Sequence, residues 1–537
     1  MQHWLKRSWI QIVAGALCLM AMVLLNGRPT VFTDTDDYYA QGRGAAHAVK
    51  PLIQKLVRPV LPSWGSDDDA DYRTAAQDED HTSMAARSPY YGAFLYTTYR
   101  IGSLWLTVFL QALVVAWTVF LFLRGVFENR SNPLIYLGIM AAISLGTSAP
   151  FFTGFAMPDI LAPLGALATI ALGVAWGGYR KRERLGLAFI ILTSLWSHTS
   201  HILVEIALIA AIAILLFWRK TPWLSIATRS GLMLALVGSA FASDAAYHSV
   251  VLWRTGEDLR RPPFLTARVL ADGPGRLYLR QVCANKSPYV LCAFKRDPLD
   301  NSDEILWADD PARGIFNASK MKVRTALDKE EKAFVLAAVS HYPMEQLAAS
   351  LANWWDQLNM IDLAEPLRDP TYYFSNVYWR DTSLPGLIPG GGACLKHPKL
   401  CRPRLSILDL WTVHVTALFA AITFLTWRLS APDMRKALFD RKPLAPGSTD
   451  LAALACLLTV FAVVINAGVT GVLSGPFSRY NARMIWLVPL VALALGVSRG
   501  PGWPKVWQSL DQHVRDLLNR VRPSETWHRD RLLRRRL

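Results

Sequence analysis

The feature that most constrains this chain is its series of long apolar runs without charge. Several reach, or nearly reach, the roughly 20 residues that cross a bilayer. Hydrocarbon offers no partner to bare N–H and C=O groups, so such runs must pair their backbone internally, as helices. Composition agrees. Of 537 residues, 52% are hydrophobic and only 18% charged, with 20 Trp and a mean hydropathy of +0.22. Soluble chains of this length are rarely so apolar.

Hydropathy predicts about ten spans, at 9–25, 101–123, 134–149, 160–176, 185–196, 202–218, 230–242, 407–427, 451–473 and 484–497. The seventh can start as early as Leu224, which would place Arg229 inside it. The expected fold is an all-α polytopic membrane protein. A structured extracytoplasmic loop region of mixed or irregular structure accompanies it. Each short basic cluster (Lys6 and Arg7; Arg124 and Arg130; Arg180 to Arg184; Arg219 and Lys220; Arg428 to Lys442) falls opposite two long loops, 26–100 and 243–405. Cytoplasmic loops collect Lys and Arg, so the long loops are expected outside and both termini inside, in a bacterial inner membrane. The run 9–25 resembles a signal peptide but lacks a small-x-small cleavage pattern, so it reads as a retained anchor.

Four units follow: a transmembrane core over 1–242 that includes the first loop, the large loop 243–405, C-terminal helices over 406–497, and a basic cytoplasmic tail over 498–537. The net charge of +16 would suggest nucleic acid on a soluble protein. The topology accounts for it here, and no nucleic-acid partner is expected. The last residues, with Arg534, Arg535 and Arg536, suit anionic headgroups. In the first loop, apolar residues from Val49 to Val60 recur at helical spacing and predict a surface-lying amphipathic helix. The acidic stretch 66–80 reads as solvated.

Cys18 and Cys456 sit in apolar runs and read as packing residues. Cys283, Cys292, Cys394 and Cys401 all lie in the large loop. An even set in an oxidising compartment reads as two disulfides. The near-neighbour pairing, Cys283 with Cys292 and Cys394 with Cys401, is the expected one of three connectivities. A zinc site is the rival, against which the spacing argues.

Four groups could carry chemistry. Asp34, Asp36 and Asp37, followed by Tyr38, crowd three carboxylates at the outer boundary. Such a group can hold a proton, share a divalent metal or deprotonate an acceptor hydroxyl. Asp159 after Pro158 opens the fourth span at the same face, where helix capping is the plainer explanation. His198 and His201 lie near Glu205, which shares a helix face with His201. An acid within an apolar span is costly and tends to face a cavity or a partner, and a His–Glu hydrogen bond between helices is the bland alternative. Arg479 and Arg483 flank Tyr480 on the outer face, against the positive-inside trend. Guanidinium groups bind phosphate bidentately, so these two suit a lipid-linked phosphate, with headgroup anchoring as the alternative. Arg254, Arg260, Arg261 and Arg268 are further basic candidates, and Asn317-Ala318-Ser319 fits a glycosylation sequon.

This layout resembles the GT-C superfamily of membrane glycosyltransferases, which use polyprenyl-phosphate-linked sugars. In the resemblance, Asp34, Asp36 and Asp37 occupy the first acidic position and the helix near Val49 to Val60 the surface helix. Asp159 occupies the second acidic position, and 243–405 forms a capping loop. It implies sugar transfer from a lipid phosphate to an extracytoplasmic glycan or glycolipid acceptor. One first-loop Asp would be the base, and Asp159 would orient the acceptor or help hold a divalent metal. That Arg479 and Arg483 would meet the donor phosphate is inferred from chemistry and side, not from a motif. His198, His201, Glu205, Tyr38 and Tyr480 would line the substrate site. Three rivals carry other expectations: a transporter or flippase with internal repeats, a glycan polymerase or ligase resting on Arg479 and Arg483, and an acyltransferase centred on His198 or His201.

Overall fold

The computed structural model describes residues 8–27, 29–31, 34–35, 37–46, 87–127, 133–255, 261–284, 289–294, 299–308, 310–361, 409–499 and 512. The helices are α1 (Ser8–Leu19), α2 (Ala21–Asn26), α3 (Pro89–Val126), α4 (Pro133–Gly146), α5 (Ala149–Thr153), α6 (Leu161–Val174), α7 (Lys181–Ser197), α8 (Thr199–Trp218), α9 (Trp223–Thr255), α10 (Phe264–Asp272), α11 (Pro274–Cys283), α12 (Ser302–Trp307), α13 (Met321–His341), α14 (Pro343–Asn359), α15 (Trp411–Leu429), α16 (Pro432–Phe439), α17 (Thr449–Leu473), α18 (Ser478–Ile485) and α19 (Leu487–Arg499). Among the described residues there is no strand, and β-pairing is confined to an isolated parallel bridge between Thr30 and Phe155.

Six helices are long and apolar enough, by length and composition, to cross a membrane: Pro89–Val126, Thr199–Trp218, Trp223–Trp253, Trp411–Leu429, Thr449–Leu473 and Ser478–Val497. They mark the chain as an all-α integral membrane protein. The other anticipated runs are helical but shorter, at Ser8–Leu19, Pro133–Gly146, Pro158–Val174 and Lys181–Ser197.

The structure redraws three boundaries. The first run is interrupted after Leu19, and Gly27 ends α2 at φ 74°, a conformation open to glycine. The second run begins at Pro89 and is broken at Gly102 and Ser103. Across that break Thr98 Oγ1 meets Thr107 Oγ1 at 2.7 Å, and Tyr91 OH donates to Gln111 Oε1 at 2.7 Å. The two halves therefore fold back on each other, which carries Pro89 back toward the level of Gln111. The seventh run starts at Trp223 and does contain Arg229, whose Nη1 donates to Gly173 O at 2.8 Å. A cation there meets the carbonyl end of α6.

Basic loops gather at one end of the bundle. Arg124 holds Glu183 bidentately at 2.8 and 2.7 Å, and the fully buried Arg219 pairs with Asp450 at 3.1 Å. The far end of α7 reaches the opposite side, where Ser88 Oγ donates to Trp196 O at 2.6 Å. That side carries the acidic and arginine positions.

The described part of the large loop is helical, which corrects the expectation of mixed or irregular structure. Leu327, Phe334 and Ala338 bury one face of α13 at helical spacing. Leu327 and Phe334 join Leu270, Leu279, Ile305 and Phe316 in a second core, separate from that of the bundle. Cys283 and Cys292 form a disulfide with Cα atoms 5.5 Å apart. Cys394, Cys401, the stretches 49–60 and 66–80 and the basic tail lie outside the described residues.

Candidate functional site

Two local devices bring the sequence-distant acids together. Thr30 N donates to Gly154 O and Ala156 N donates to Thr30 O, both at 2.9 Å. This short ladder ties the start of the first loop to the turn after α5. Two residues beyond Ala156, Pro158 opens a 3₁₀ turn that holds Asp159. Gln111 Nε2 fixes the same turn by donating to Thr153 O at 2.9 Å and Phe155 O at 2.8 Å. On the other side, α18 places Arg479 and Arg483 one turn apart on one face. Ser148 Oγ donates to Ala482 O at 2.6 Å and pins α18 against the turn before α5.

Asp34, Asp159, Arg479 and Arg483 consequently share one site. Arg479 bridges the two acids, with Nη1 3.4 Å from Asp34 Oδ2 and Nε 3.7 Å from Asp159 Oδ1. Arg483 Nη1 lies 3.4 Å from Asp159 Oδ1, and its Nη2 lies 3.3 Å from both Ser200 Oγ and Asn466 Oδ1. Arg483 and Asp159 are 1% and 3% exposed, so this charge pair is out of water. Tyr480 lies beneath both guanidiniums, at 5.3 and 5.1 Å. Tyr38 is buried and edge-on to Tyr91 at 5.2 Å. Asp37 is more open and pairs loosely with Arg87 at 3.8 Å. Asp36 lies outside the described residues.

The pairings differ in quality. Arg87 Nη2 donates to Asp34 Oδ1 at 2.6 Å, the length of a strong charge-assisted bond. Contacts of Arg479 and Arg483 with the acids run from 3.4 to 3.7 Å, beyond that range. In α18, the buried Arg483 Nε, Ser478 Oγ and Asn481 Oδ1 have no hydrogen-bond partner among the described residues. Burial alone would raise the Asp34 carboxyl. The Arg87 and Arg479 charges outweigh burial and hold it below the usual carboxylate range.

The histidines divide. His198 Nδ1 accepts from Ser200 N at 3.2 Å and lies 2.8 Å from Ser200 Oγ, which assigns its proton to Nε2. Burial and the charges of Arg483, Arg87 and Arg479 hold it neutral, well below the usual histidine range. A hydroxyl relay therefore joins Arg483 to His198 through Ser200. His201 Nδ1 donates to Ser194 O at 2.9 Å, and Glu205 accepts from Thr169 Oγ1 at 2.5 Å. No His201–Glu205 bond forms among the described residues, which corrects that expectation: His201 Nδ1 and Glu205 each bond a neighbour on another helix, and the buried His201 Nε2 has no hydrogen-bond partner among the described residues. Of the further arginines, Arg268 pairs with Asp272 and Arg261 with Asp244. The side chain of Arg254 and the whole of Arg260 lie outside the described residues.

Arg87, Ser200 and Asn466 belong to the site and were not singled out from sequence. Arg87 carried a usable signal, being a cation at the end of an apolar span, as Arg479 and Arg483 are. A divalent metal does not fit the described residues. No group of three His, Cys, Asp or Glu assembles to hold one, and the carboxylates of Asp34 and Asp159 already face guanidinium cations.

No family model matches the chain, and no curated protein or solved structure matches it either.

Proposed function

We propose that this chain is a membrane glycosyltransferase that moves a sugar from a polyprenyl-phosphate-linked donor to a glycan or glycolipid acceptor at the outer membrane face. On this reading the ten apolar helical runs all cross or enter the bilayer, with the basic loops cytoplasmic and the arginine end extracytoplasmic. One observation carries it: Arg479 and Arg483 converge on Asp34 and Asp159 in one cluster, with Arg479 bridging the two acids at 3.4 and 3.7 Å.

The chemistry follows from charge. As the acceptor oxygen bonds to the anomeric carbon, the sugar–phosphate bond breaks and its electron pair goes to the phosphate. Negative charge grows on that phosphate in the transition state. Preorganised guanidiniums in a dry site stabilise growing charge best. The guanidiniums of Arg479 and Arg483 supply such charge. Asp34 and Asp159 hold the arginines in place between turnovers, and Tyr480 limits their swing.

A glycan polymerase or ligase is the second reading. It is favoured by the clamping of Asp34, which makes that carboxylate a weaker base. The test is mass spectrometry of envelope glycans and glycolipids from cells lacking the protein, complemented with wild type, Asp159→Asn or Arg479→Met. The expected result is a missing sugar increment that wild type restores and neither variant does. Restoration by Asp159→Asn but not by Arg479→Met selects the polymerase or ligase. A profile unchanged by loss of the protein contradicts both.

A further inference from the structure

The loop after α9 also delivers a carboxylate to this site. Asn301 Oδ1 caps α12 by accepting from Asp303 N at 3.0 Å and Glu304 N at 3.3 Å. The helix is anchored in the second core: Ile315 N and Phe316 N donate to Ile305 O at 2.9 and 3.0 Å, and Ile305 and Leu306 are buried. Ser302 Oγ lies against Gly475, 3.5 Å from where a Cβ would stand, and Gly475 is four residues before Arg479. Gly475 has φ 145°, a backbone conformation that favours glycine.

The two acids of α12 then part ways. Glu304 is held by Arg313. Asp303 is exposed as a residue, and its carboxylate, partly buried, has neither a hydrogen-bond nor an ion-pair partner among the described residues. Charged groups acting on it are Asp34, Arg479, Arg87 and its neighbour Glu304. Asp303 thus lies within electrostatic reach of the cluster with its carboxylate unpaired among the described residues, while Asp34 is clamped by Arg87 and Arg479.

Resting on the glycosyltransferase reading, we propose that Asp303 is the carboxylate that takes the proton from the acceptor hydroxyl. In this step the acceptor O–H proton passes to Asp303 as the oxygen bonds to the anomeric carbon. The leaving phosphate keeps the electron pair and is met by Arg479 and Arg483. A base must be reachable by the acceptor and not already engaged, and Asp303 meets both conditions. Its surroundings also favour proton uptake. Partial burial, with the Asp34 charge, raises its carboxyl above the usual range against the pull of Arg479 and Arg87.

The test is the initial rate of sugar-increment incorporation in complemented cells, read by mass spectrometry, for wild type, Asp303→Asn, Asp303→Glu and Arg479→Met. Membrane abundance and thermal midpoint of each full-length protein are measured alongside. Asp303→Asn is expected to lose about 100-fold or more of the rate, in line with general-base catalysis, at unchanged abundance and midpoint. Asp303→Glu is expected to keep a measurable part of the rate. An Asp303→Asn rate within twofold of wild type, with Arg479→Met inactive, overturns the role of Asp303 and leaves glycosyl transfer standing. Failure of wild type itself to restore any sugar overturns both.

Discussion

Asp34 and Asp303 approach the same arginines from two differently built regions. Asp34 comes from the helical bundle, where Arg87 grips it at 2.6 Å and Arg479 closes from the other side. Asp303 comes from the loop domain, whose own disulfide-linked core holds its helix while leaving its carboxylate unpaired among the described residues. The first arrangement makes a poor base and a good structural anchor. The second makes a reachable base that contributes nothing to holding the arginines. One site can need both, and separate cores let each be built without compromising the other.

The sharpest way to break this comparison is to remove an anchor from the bundle. Asp159→Ala leaves the buried Arg483 without its counter-ion. It should cost about 3–5 kcal/mol of stability, typical for an uncompensated buried charge, and abolish activity. Thermal unfolding of the full-length protein in detergent checks it, and a shift as small as that of a surface variant would refute the description of a buried pair. In the loop domain the matching test is Cys283→Ser. Opening this short loop should cost about 2 kcal/mol. The loss should appear as faster hydrogen exchange in α11 and α13, with bundle helices unchanged.

Gly165→Ala asks whether the deeper polar residues of the bundle belong to the site. An added Cβ would stand 2.5 Å from Ser194 Oγ and 2.6 Å from Glu205 Oε1. Overpacking of that kind should cost about 1–3 kcal/mol. Normal sugar transfer by the surviving folded protein would assign Thr169, Ser194 and Glu205 to structure, and loss of transfer would extend the site inward.

The smallest effect separates the two acids by sign. The Asp34 carboxyl is depressed on folding, so its contribution is present above the unfolded carboxylate range, near about 3.9, and is lost as pH falls through its folded value. Asp303 is raised on folding, so its ionisation above its folded value weakens the fold. Asp34→Asn should therefore lower the thermal midpoint at neutral pH, while Asp303→Asn should leave it unchanged or slightly higher. A lower midpoint for both would show that Asp303 is held by a partner.

Much of this site was legible because charge in an apolar chain is conspicuous. Asp34, Asp159, Arg479 and Arg483 stood out as charges at span ends, and they meet in space. Tyr480 came with them by adjacency, and His198 stood out separately as one of two histidines between apolar spans. Asp303 had no such contrast, since it lies in a loop already rich in charge, and only the packing of Ser302 on Gly475 brings it to the arginines. The break at Gly102 and Ser103 was likewise hidden, because hydropathy reports burial in lipid and not chain direction. The large loop was expected to be of mixed or irregular structure, but apolar residues at helical spacing on α13 suffice for a core.

The most direct test of the central claim is release of free polyprenyl phosphate by purified full-length protein in vesicles holding a polyprenyl-phosphate sugar. Wild type with a membrane glycolipid extract should release it in step with sugar transfer, and Arg479→Met should release none. Release equal to that of protein-free vesicles, from wild type that is folded and given extract from cells lacking the protein, would contradict glycosyl transfer at the cluster of Asp34, Asp159, Arg479 and Arg483.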